Sequence, residues 1–268
     1  MLYQWLFGNR DILVPYFDFF AVDHGQHDSP VLAEIYRLRY EVYCLECHFL
    51  EPDAYDEGKE SDEYDDCSAH FAASTDYGQM VGTVRLVQPT AQQIHPFEHH
   101  CGVFDGFEMP PREQVGEVSR LVVRKTHRRR RGDSMQGVSR DFLDQKTASI
   151  QPRTGKEQRS NSPLLLLGLY REMYRYSRRN GIRYWYAAME RSLARSLDKM
   201  GFGFVPIGPQ VDYYGPVTPY MVDLDQLERR LRQENKFLAA WFHGESIPFH
   251  IVAKTVWASL SLRRTGKK

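Results

Sequence analysis

Short, mostly apolar runs recur along the chain and alternate with polar segments that contain glycine and proline. Apolar runs of about four to eight residues with such borders predict buried strands. The linker Asp76-Tyr-Gly78-Gln is typical of a hairpin turn, because Gly78 can adopt a positive φ. The predicted strands are residues 16–22, 68–75, 80–88, 117–123, 182–189, 202–207 and 218–224.

Longer segments repeat apolar residues with the period of a helix. Ser29-Pro30 predicts a helix start, with a capping hydroxyl and a proline at the first helical position, and the apolar positions continue to Leu45. Asn180-Gly181 is a helix-end signal. The other predicted helices are residues 164–176, 192–200, 225–241 and 247–262. Strands that alternate with helices predict an α/β fold with a mixed central sheet and helices on both faces.

The 268 residues are 42% hydrophobic, which is enough for a sizeable core. We predict one domain over residues 1–224, with a polar, basic insert at about 126–161, and a helical extension at 225–268 that lies on or near the domain. Lys+Arg and Asp+Glu both number 35, so net charge gives no argument for a nucleic-acid partner, and none is predicted. The charge is uneven, however, with nine carboxylates between Glu51 and Asp66 and a basic run from Arg124 to Arg131.

Cysteine and histidine usage raises the question of metal or redox chemistry. Cys44 and Cys47 have C-x-x-C spacing, but the chain has no second such pair, so free cysteines are the preferred interpretation. His99 and His100 are adjacent on a loop, where two side chains rarely face one ion. We predict no metal and no permanently bound cofactor. The chain opens without a signal-sequence pattern, so the predicted location is cytoplasmic.

Arg85 lies inside a predicted strand of which one face should be buried. A buried guanidinium needs carboxylate partners, and the acidic loop before the hairpin is the nearest source. The sequence therefore predicts a cluster of arginines and carboxylates on one side of the sheet. Such a cluster can be a structural ion network or a catalytic site, and the residues alone leave both open.

Four short motifs carry a family resemblance. They are Arg39 with Tyr43 and Phe49; Glu60-x-Asp62-x-Tyr64-Asp65; Gly82-x-x-Arg85-Leu86; and Glu117-x-Ser119-Arg120. In order and spacing they are similar to motifs of the acyl-homoserine lactone (autoinducer) synthases, and they cover roughly residues 35–125. The length and the insert are more similar to the PEP-CTERM/exosortase-associated acyltransferases, which resemble N-acyl amino acid synthases. Lys199-Met-Gly201-Phe202 resembles the corresponding part of the GNAT superfamily.

The resemblance implies a GNAT-like α-β-α sandwich and transfer of a long-chain acyl group to the amine of an amino acid. The donor would be an acyl-phosphopantetheine thioester on acyl carrier protein, with acyl-CoA as the other donor left open. Glu60 and Glu117 are the candidate bases, because the amine must lose a proton. The residues implied in substrate binding are Arg39, Tyr43, Phe49, Asp62, Asp65, Arg85, Ser119 and Arg120.

Two further assignments concern the donor. The basic residues Arg128, Arg129, Arg130 and Arg131 would attract an acidic carrier protein, although a solvated loop is the alternative. An apolar tunnel for the acyl chain could be lined by aromatic residues, for which plain core packing is the alternative. These aromatic residues are Tyr184, Trp185, Tyr186, Phe202 and Phe204.

Two other functions compete with this prediction. An autoinducer synthase would use S-adenosylmethionine and form a lactone, but Phe49 stands where that family has a tryptophan. A non-enzymatic peripheral protein would use Arg128–Arg131 and the C-terminal helix on anionic lipid, and weak membrane-surface contact through that helix is compatible with the enzyme as well.

Overall fold

The computed structural model describes residues 17–26, 29–128, 162–234 and 236–244. The strands are β1 (Phe17–Val22), β2 (Ser68–Thr75), β3 (Met80–Val87), β4 (Val115–Val123), β5 (Tyr184–Met189), β6 (Val205–Pro206), β7 (Val211–Asp212) and β8 (Pro216–Asp223). The helices are α1 (Pro30–Tyr40), α2 (Ser162–Arg179), α3 (Arg191–Lys199), α4 (Leu224–Glu234) and α5 (Lys236–His243).

The strands form a mixed sheet with the order β1-β2-β3-β4-β5-β8-β6, and β7 pairs with β8. The pair β4–β5 is parallel, and the other pairs among the described strands are antiparallel. The hairpin β2–β3 turns at Gly78, whose φ is 78°. The predicted mixed sheet is confirmed.

Helices cover both faces of this sheet. On one face α1 packs through Leu32, Ile35 and Leu38 against a small cluster that includes Ala72. On the other face α2 packs against the large core that includes Phe71. Because successive strand residues point to opposite faces, the neighbours Phe71 and Ala72 lie in different cores. The predicted α-β-α layering is therefore confirmed.

The two parallel strands separate soon after they meet. Their pairing runs only from Val115 opposite Tyr184 to Glu117 opposite Tyr186, although β4 continues to Val123 and β5 to Met189. The β3–β4 register also shifts between Thr83 and Arg85. Arg120 lies on the longer side of this bulge with a φ of 50°, the left-handed region. The separation opens a cleft between β4 and β5. The bulge changes the direction of the β4 backbone along one side of that cleft.

Several elements differ from the sequence prediction. Helix α1 continues as a π-helical turn, Glu41–Glu46. The predicted strand 202–207 is reduced to Val205–Pro206, because Gly201 and Gly203 have φ of 94° and 49° and break the extended backbone. The predicted helix 225–241 is two helices, α4 and α5, and β7 was not predicted. The predicted helix 247–262 and most of the insert at 126–161 lie outside the described residues.

Helix α2 approaches β1 closely at Gly168. A Cβ atom at Gly168 would lie 2.0 Å from Cζ of Phe19. We expect Gly168→Ala to lower the free energy of unfolding by about 1–3 kcal/mol through this overlap, although alanine favours a helix by about 1 kcal/mol over glycine. In a Phe19→Ala background the same change should become neutral or stabilising. Urea denaturation of the four proteins measures both effects, and a penalty that persists without the Phe19 ring would contradict the close-packing explanation.

Candidate active site

Arginines from three different elements meet the acidic loop on one side of the sheet. Arg39 of α1 is fully buried and forms a fork with Asp65, with Nη1–Oδ1 at 2.7 Å and Nη2–Oδ2 at 3.1 Å. Its Nε donates to Glu60, which is also fully buried. Arg39 therefore binds the segment Glu60–Asp65 of the acidic loop at both of its ends.

Arg85 of β3 occupies the middle of the same cluster. Its Nη1 donates to Asp65 Oδ1 at 2.8 Å, and its Nη2 donates to Asp62 Oδ2 at 3.1 Å. Its Nε donates to Ser119 Oγ on β4 at 3.0 Å, across the register pair of these two residues. The acidic loop was predicted to supply the carboxylate partners of Arg85, and Asp62 and Asp65 of that loop bind it.

Arg120 completes the cluster from the β4 bulge. Its Nε donates to Glu60 Oε1 at 3.1 Å, and its Nη2 donates to Asp62 Oδ2 at 2.7 Å. The Arg120 and Asp62 side chains are 24% and 18% exposed, whereas Arg39 and Glu60 are at 0%. The cluster is therefore buried at its base and accessible at the edge that Arg120 and Asp62 form.

Hydrogen bonds from the backbone of the acidic loop to its own carboxylates stabilise its conformation. The Asp62 N–H donates to Asp65 Oδ2 at 2.7 Å, and the Tyr64 N–H donates to Asp62 Oδ1 at 2.9 Å. Burial acts to raise the pKa of Asp65, but the attraction of Arg39 and Arg85 outweighs it and holds that pKa well below its usual range. In the same way Arg85 and Arg120 outweigh burial and lower the pKa of Asp62. Both carboxylates are therefore ionised at neutral pH, and the cluster is charge-balanced.

Glu117 lies apart from this network and in a different electrostatic state. The side chain is buried, and its Oε2 accepts the Phe97 N–H at 3.0 Å. His95 Nδ1 is 3.9 Å from the same oxygen. Burial raises the pKa of Glu117 to about 8, which the Phe97 hydrogen bond and the charge of Arg85 only partly oppose. A carboxyl group with such a pKa can hold or release a proton near neutral pH.

A cavity of about 850 Å³ occupies the cleft between β4 and β5. Its polar lining residues include Glu117, Ser119 and Arg120, and Glu190, Ser192 and Ser196 also line it. The Arg120 guanidinium lies 5.6 Å from the centre of the Tyr43 ring, and the rings of Phe49 and Tyr214 are 5.7 Å apart. The apolar lining residues include Leu166, Tyr170, Ala187, Met189, Leu193 and Met200. The cavity can thus hold a ligand with a charged head and an apolar chain.

The aromatic residues considered for the acyl tunnel are core residues instead. Trp185 is fully buried and donates its indole N–H to Ser177 Oγ at 2.9 Å. Phe202 packs edge-on against Tyr170, with ring centres 4.9 Å apart. None of the five proposed tunnel residues lines the cavity. Tyr170 and Leu166 of α2 do so, and an apolar stripe on a helix does not reveal which members face a cavity and which face the core.

Other predicted site residues lie at the border of the cavity or outside it. Arg39, Glu60 and Asp65 do not line it and support the residues that do. Arg128 lines it, donates to the Val123 carbonyl at 2.9 Å and contacts Glu46 at 3.1 Å. Arg129, Arg130 and Arg131 lie outside the described residues. Tyr213 and Tyr214 also line the cavity, and no sequence signal marked them.

The described residues contain no group of His, Cys, Asp and Glu side chains that could hold a metal ion. His99 Nε2 is 2.8 Å from the Tyr64 hydroxyl, and His100 stacks on Tyr213 with ring centres 3.8 Å apart. Cys44 and Cys47 are free thiols. In the part of the chain that the structure describes, no helix is long and apolar enough to cross a membrane.

The mixed sheet with helices on both faces and a cleft between its two parallel strands is a GNAT-like fold. Residues 38–137 match the family model described as Acetyltransferase (GNAT) domain. A comparison with curated protein sequences found no match.

Solved structures with the same fold include acyl-homoserine lactone synthases. TofI, in a ternary complex with an inhibitor and MTA, is 18% identical, with 80% of this chain and 95% of that chain covered and a TM-score of 0.56. The AHL synthase LasI is 16% identical over 87% of this chain and 98% of that chain, with a TM-score of 0.54. BjaI, a CoA-dependent synthase with SAM and isopentyl-CoA, is 19% identical over 81% and 89%, with a TM-score of 0.55. At these identities the similarity shows a shared fold.

The buried ion network generates a stability prediction. Asp65→Asn removes the charge that pairs both Arg39 and Arg85, so we expect the free energy of unfolding at pH 7 to fall by about 3–5 kcal/mol. Asp62→Asn should cost less, because water reaches Asp62 and Arg120. Urea denaturation of both variants tests this order. Equal losses, or a loss below about 1 kcal/mol for Asp65→Asn, would contradict a network stabilised by buried charge pairing.

The raised pKa of Glu117 generates a pH prediction. In the unfolded chain Glu117 ionises near 4.5, whereas the folded protein keeps the proton up to about 8, so this residue destabilises the fold increasingly over that interval. Glu117→Gln can still accept the Phe97 N–H and does not ionise. Its advantage in unfolding free energy should grow by about 1–4 kcal/mol between about pH 5 and pH 8. The exposed Glu113→Gln is the matched control, and an advantage that is independent of pH would refute the shift.

Proposed function

We propose that this chain is an N-acyltransferase that moves a long-chain acyl group from a phosphopantetheine thioester to the amine of an amino acid. One observation carries the proposal: Glu117 and Arg120 line the same cavity as a set of apolar side chains that includes Leu166, Met189 and Met200. The carboxyl group can take a proton from the amine of the acceptor, and the guanidinium can bind its carboxylate. The apolar side chains can pack against the acyl chain. PEP-CTERM/exosortase association rests on sequence resemblance alone.

The thioester would lie in the cleft between β4 and β5. Beyond Glu117 the residues of β4 have no partner on β5, and the backbone bulges at Arg120. N–H groups in such a position can stabilise the oxyanion that forms when the thioester carbonyl is attacked. The acyl chain would then pack against lining residues such as Tyr170 and Met200.

The acceptor would lie beside Glu117 and Arg120 in the cavity. Arg120 Nη1 has no hydrogen-bond partner among the described residues, so it remains available for the carboxylate of the amino acid. The ammonium group would lie against Glu117. A nearby cation favours the ionised carboxylate and lowers its pKa toward neutral pH, so binding of the acceptor itself would prepare the base.

The reaction then balances in three steps. The Glu117 carboxylate takes one proton from the ammonium group, and the free amine attacks the thioester carbonyl carbon. The tetrahedral intermediate collapses with cleavage of the C–S bond. The sulfur leaves as a thiolate and takes the second proton from nitrogen, which yields an amide and a thiol.

The rest of the ion network would position these groups. Both oxygens of Glu60 are bound, one by Arg39 and the other by Arg120, and Glu60 does not line the cavity. We therefore assign the role of base to Glu117 and the role of anchoring Arg120 to Glu60. For the donor we retain acyl carrier protein, attracted by the basic run that begins at Arg124. Arg128 stands at the cavity edge, although its contact with Glu46 reduces its free charge.

An autoinducer synthase that uses S-adenosylmethionine is the second candidate. The observation in its favour is a group of aromatic rings that line the cavity, on which an adenine could stack. These rings belong to Tyr43, Phe49, Tyr213 and Tyr214. Solved structures of the same fold bind SAM or MTA. The presence of Phe49 where that family has a tryptophan is the feature against it. The alternative of a non-enzymatic membrane-surface protein depends on Arg128–Arg131 and the C-terminal helix, of which Arg129–Arg131 and residues 247–262 lie outside the described residues.

Purified protein incubated with a long-chain acyl carrier protein thioester and single amino acids should yield an N-acyl amino acid, detected by mass spectrometry. Glu117→Gln should lower kcat/KM about 10²–10⁴-fold, because the base is lost. Arg120→Lys should mainly raise the KM for the acceptor, because one fixed donor replaces a fork. Exposed Glu113→Gln and Arg179→Lys are the matched controls and should match the wild type.

Parallel reactions decide between the candidates. An acyl lactone that forms only with S-adenosylmethionine would support the second candidate and overturn the first. No product with any acceptor, from either the carrier-protein thioester or acyl-CoA, would overturn both. If the carrier-protein thioester is used, its kcat/KM should fall with added salt more than that of a short pantetheine thioester.

A further inference from the structure

His95 is a buried side chain without an assigned partner. Its residue is 1% exposed, and neither Nδ1 nor Nε2 makes a well-formed hydrogen bond among the described residues, although the side chain also faces the Glu98 N–H from the cap position of the turn Pro96–His99. Its ring centre lies 5.3 Å from that of Tyr186 and 6.4 Å from that of Phe97. Buried polar groups are nearly always paired, so an unpaired imidazole at this position requires an explanation.

The imidazole lies directly behind the carboxyl group that faces the cavity. His95 Nδ1 is 3.9 Å from Glu117 Oε2, and the Phe97 N–H already donates to that oxygen at 3.0 Å. An approach of about 1 Å would bring the two atoms to hydrogen-bond distance. The short helical turn Pro96–His99 follows His95 directly, so a small movement of that turn would change this distance.

His95 is suited to donate a hydrogen bond without competing for the proton. Burial lowers the pKa of His95 to about 4, and the charge of Arg112 adds to this effect, so the ring is neutral at physiological pH and has one N–H group. A neutral donor stabilises the ionised carboxylate, and it does not itself take the proton that the substrate ammonium gives to Glu117.

The other groups around Glu117 leave this role open. Arg85 of β3 and Arg120 of β4 act on Glu117 from a distance, and both bind the acidic loop. The remaining titratable groups that face Glu117 are acids or neutral at physiological pH and do not supply a cation. They are Glu98, Cys101, Tyr64 and Tyr213.

We propose that His95 is a positioning residue that donates its Nδ1–H to Glu117 when this carboxyl group ionises, and so fixes the carboxylate for proton transfer. The proton itself passes from the acceptor ammonium to Glu117, and His95 neither gains nor loses one. Formation of this hydrogen bond requires ionisation of Glu117 and no bound substrate. Its use in catalysis rests on the proposed function.

Carboxyl ¹³C NMR of glutamate-labelled protein measures the titration of Glu117, whose resonance the Glu117→Gln variant identifies. We expect His95→Leu to raise the pKa of Glu117 by about one unit, a tenfold change in its ionisation, because the donor is lost. His95→Asn places an N–H near the Nδ1 position and should keep the pKa within about 0.3 unit of the wild type. An unchanged pKa in His95→Leu would overturn the proposal.

A second measurement needs no His95 variant, so it decides the question even if those variants fail to fold. In histidine-labelled protein, ¹⁵N shifts should show His95 becoming predominantly the Nδ1–H tautomer as Glu117 ionises, and Glu117→Gln should abolish this change. Shifts that ignore the Glu117 titration would overturn the proposal.

Neither NMR measurement requires turnover, so absence of acyl transfer would refute the proposed function and leave this inference standing. Where turnover is observed, the acidic limb of kcat/KM should move to higher pH by about one unit in His95→Leu and return toward the wild type in His95→Asn. A limb that does not move while the NMR shifts do would confine His95 to a structural role.

Discussion

A guanidinium buried in a protein must be surrounded by carboxylates, and this constraint joins four separate parts of the chain. Arg39 from α1, Arg85 from β3 and Arg120 from β4 converge on the acidic loop between them. Removing any one charge would leave two others with one partner each instead of two, and would leave the buried cluster with a net charge. The network therefore couples the helix, the hairpin and the cavity wall. The backbone conformation of the loop depends on the same carboxylates, since Asp62 and Asp65 also accept loop N–H groups.

The network also explains how two carboxyl groups close to the same cavity come to differ. Asp62 contacts arginines directly and stays ionised, whereas Glu117 accepts a backbone N–H and faces aromatic and aliphatic residues. Their pKa values therefore move in opposite directions from their usual ranges. Separation of this kind lets one carboxylate serve as a fixed counter-ion while the other exchanges a proton.

The cleft has a different physical origin from the network. It exists because β4 and β5 pair over only three residue pairs and because β4 is bulged at Arg120. The bulge places the Arg120 guanidinium both in the network and on the cavity wall. Charge pairing and strand separation thus meet in a single residue, Arg120, which belongs to the network and also lines the cavity.

Much of this arrangement was predictable from local patterns. The hairpin, the α1 start at Ser29-Pro30 and the order of strands follow from periodicity and turn chemistry, which are properties of neighbouring residues. The need of Arg85 for carboxylates was also predictable, because a buried charge has few alternatives. Gly203 shows the limit: it lies inside the predicted strand 202–207, yet its positive φ breaks the extended backbone, and the strand is reduced to Val205–Pro206.

The sequence by itself therefore determined the class of fold, the acidic loop and the pairing of arginines with carboxylates. Only the tertiary structure decided which side chains line the cavity. Trp185 and Tyr170 are both buried aromatics, but the first lies in the core and the second lines the cleft, because Trp185 lies where β5 still pairs with β4 and the cleft opens only beyond that pairing. It also decided that Glu117 is nearly desolvated and lies close to His95, since both facts depend on what distant segments place around them.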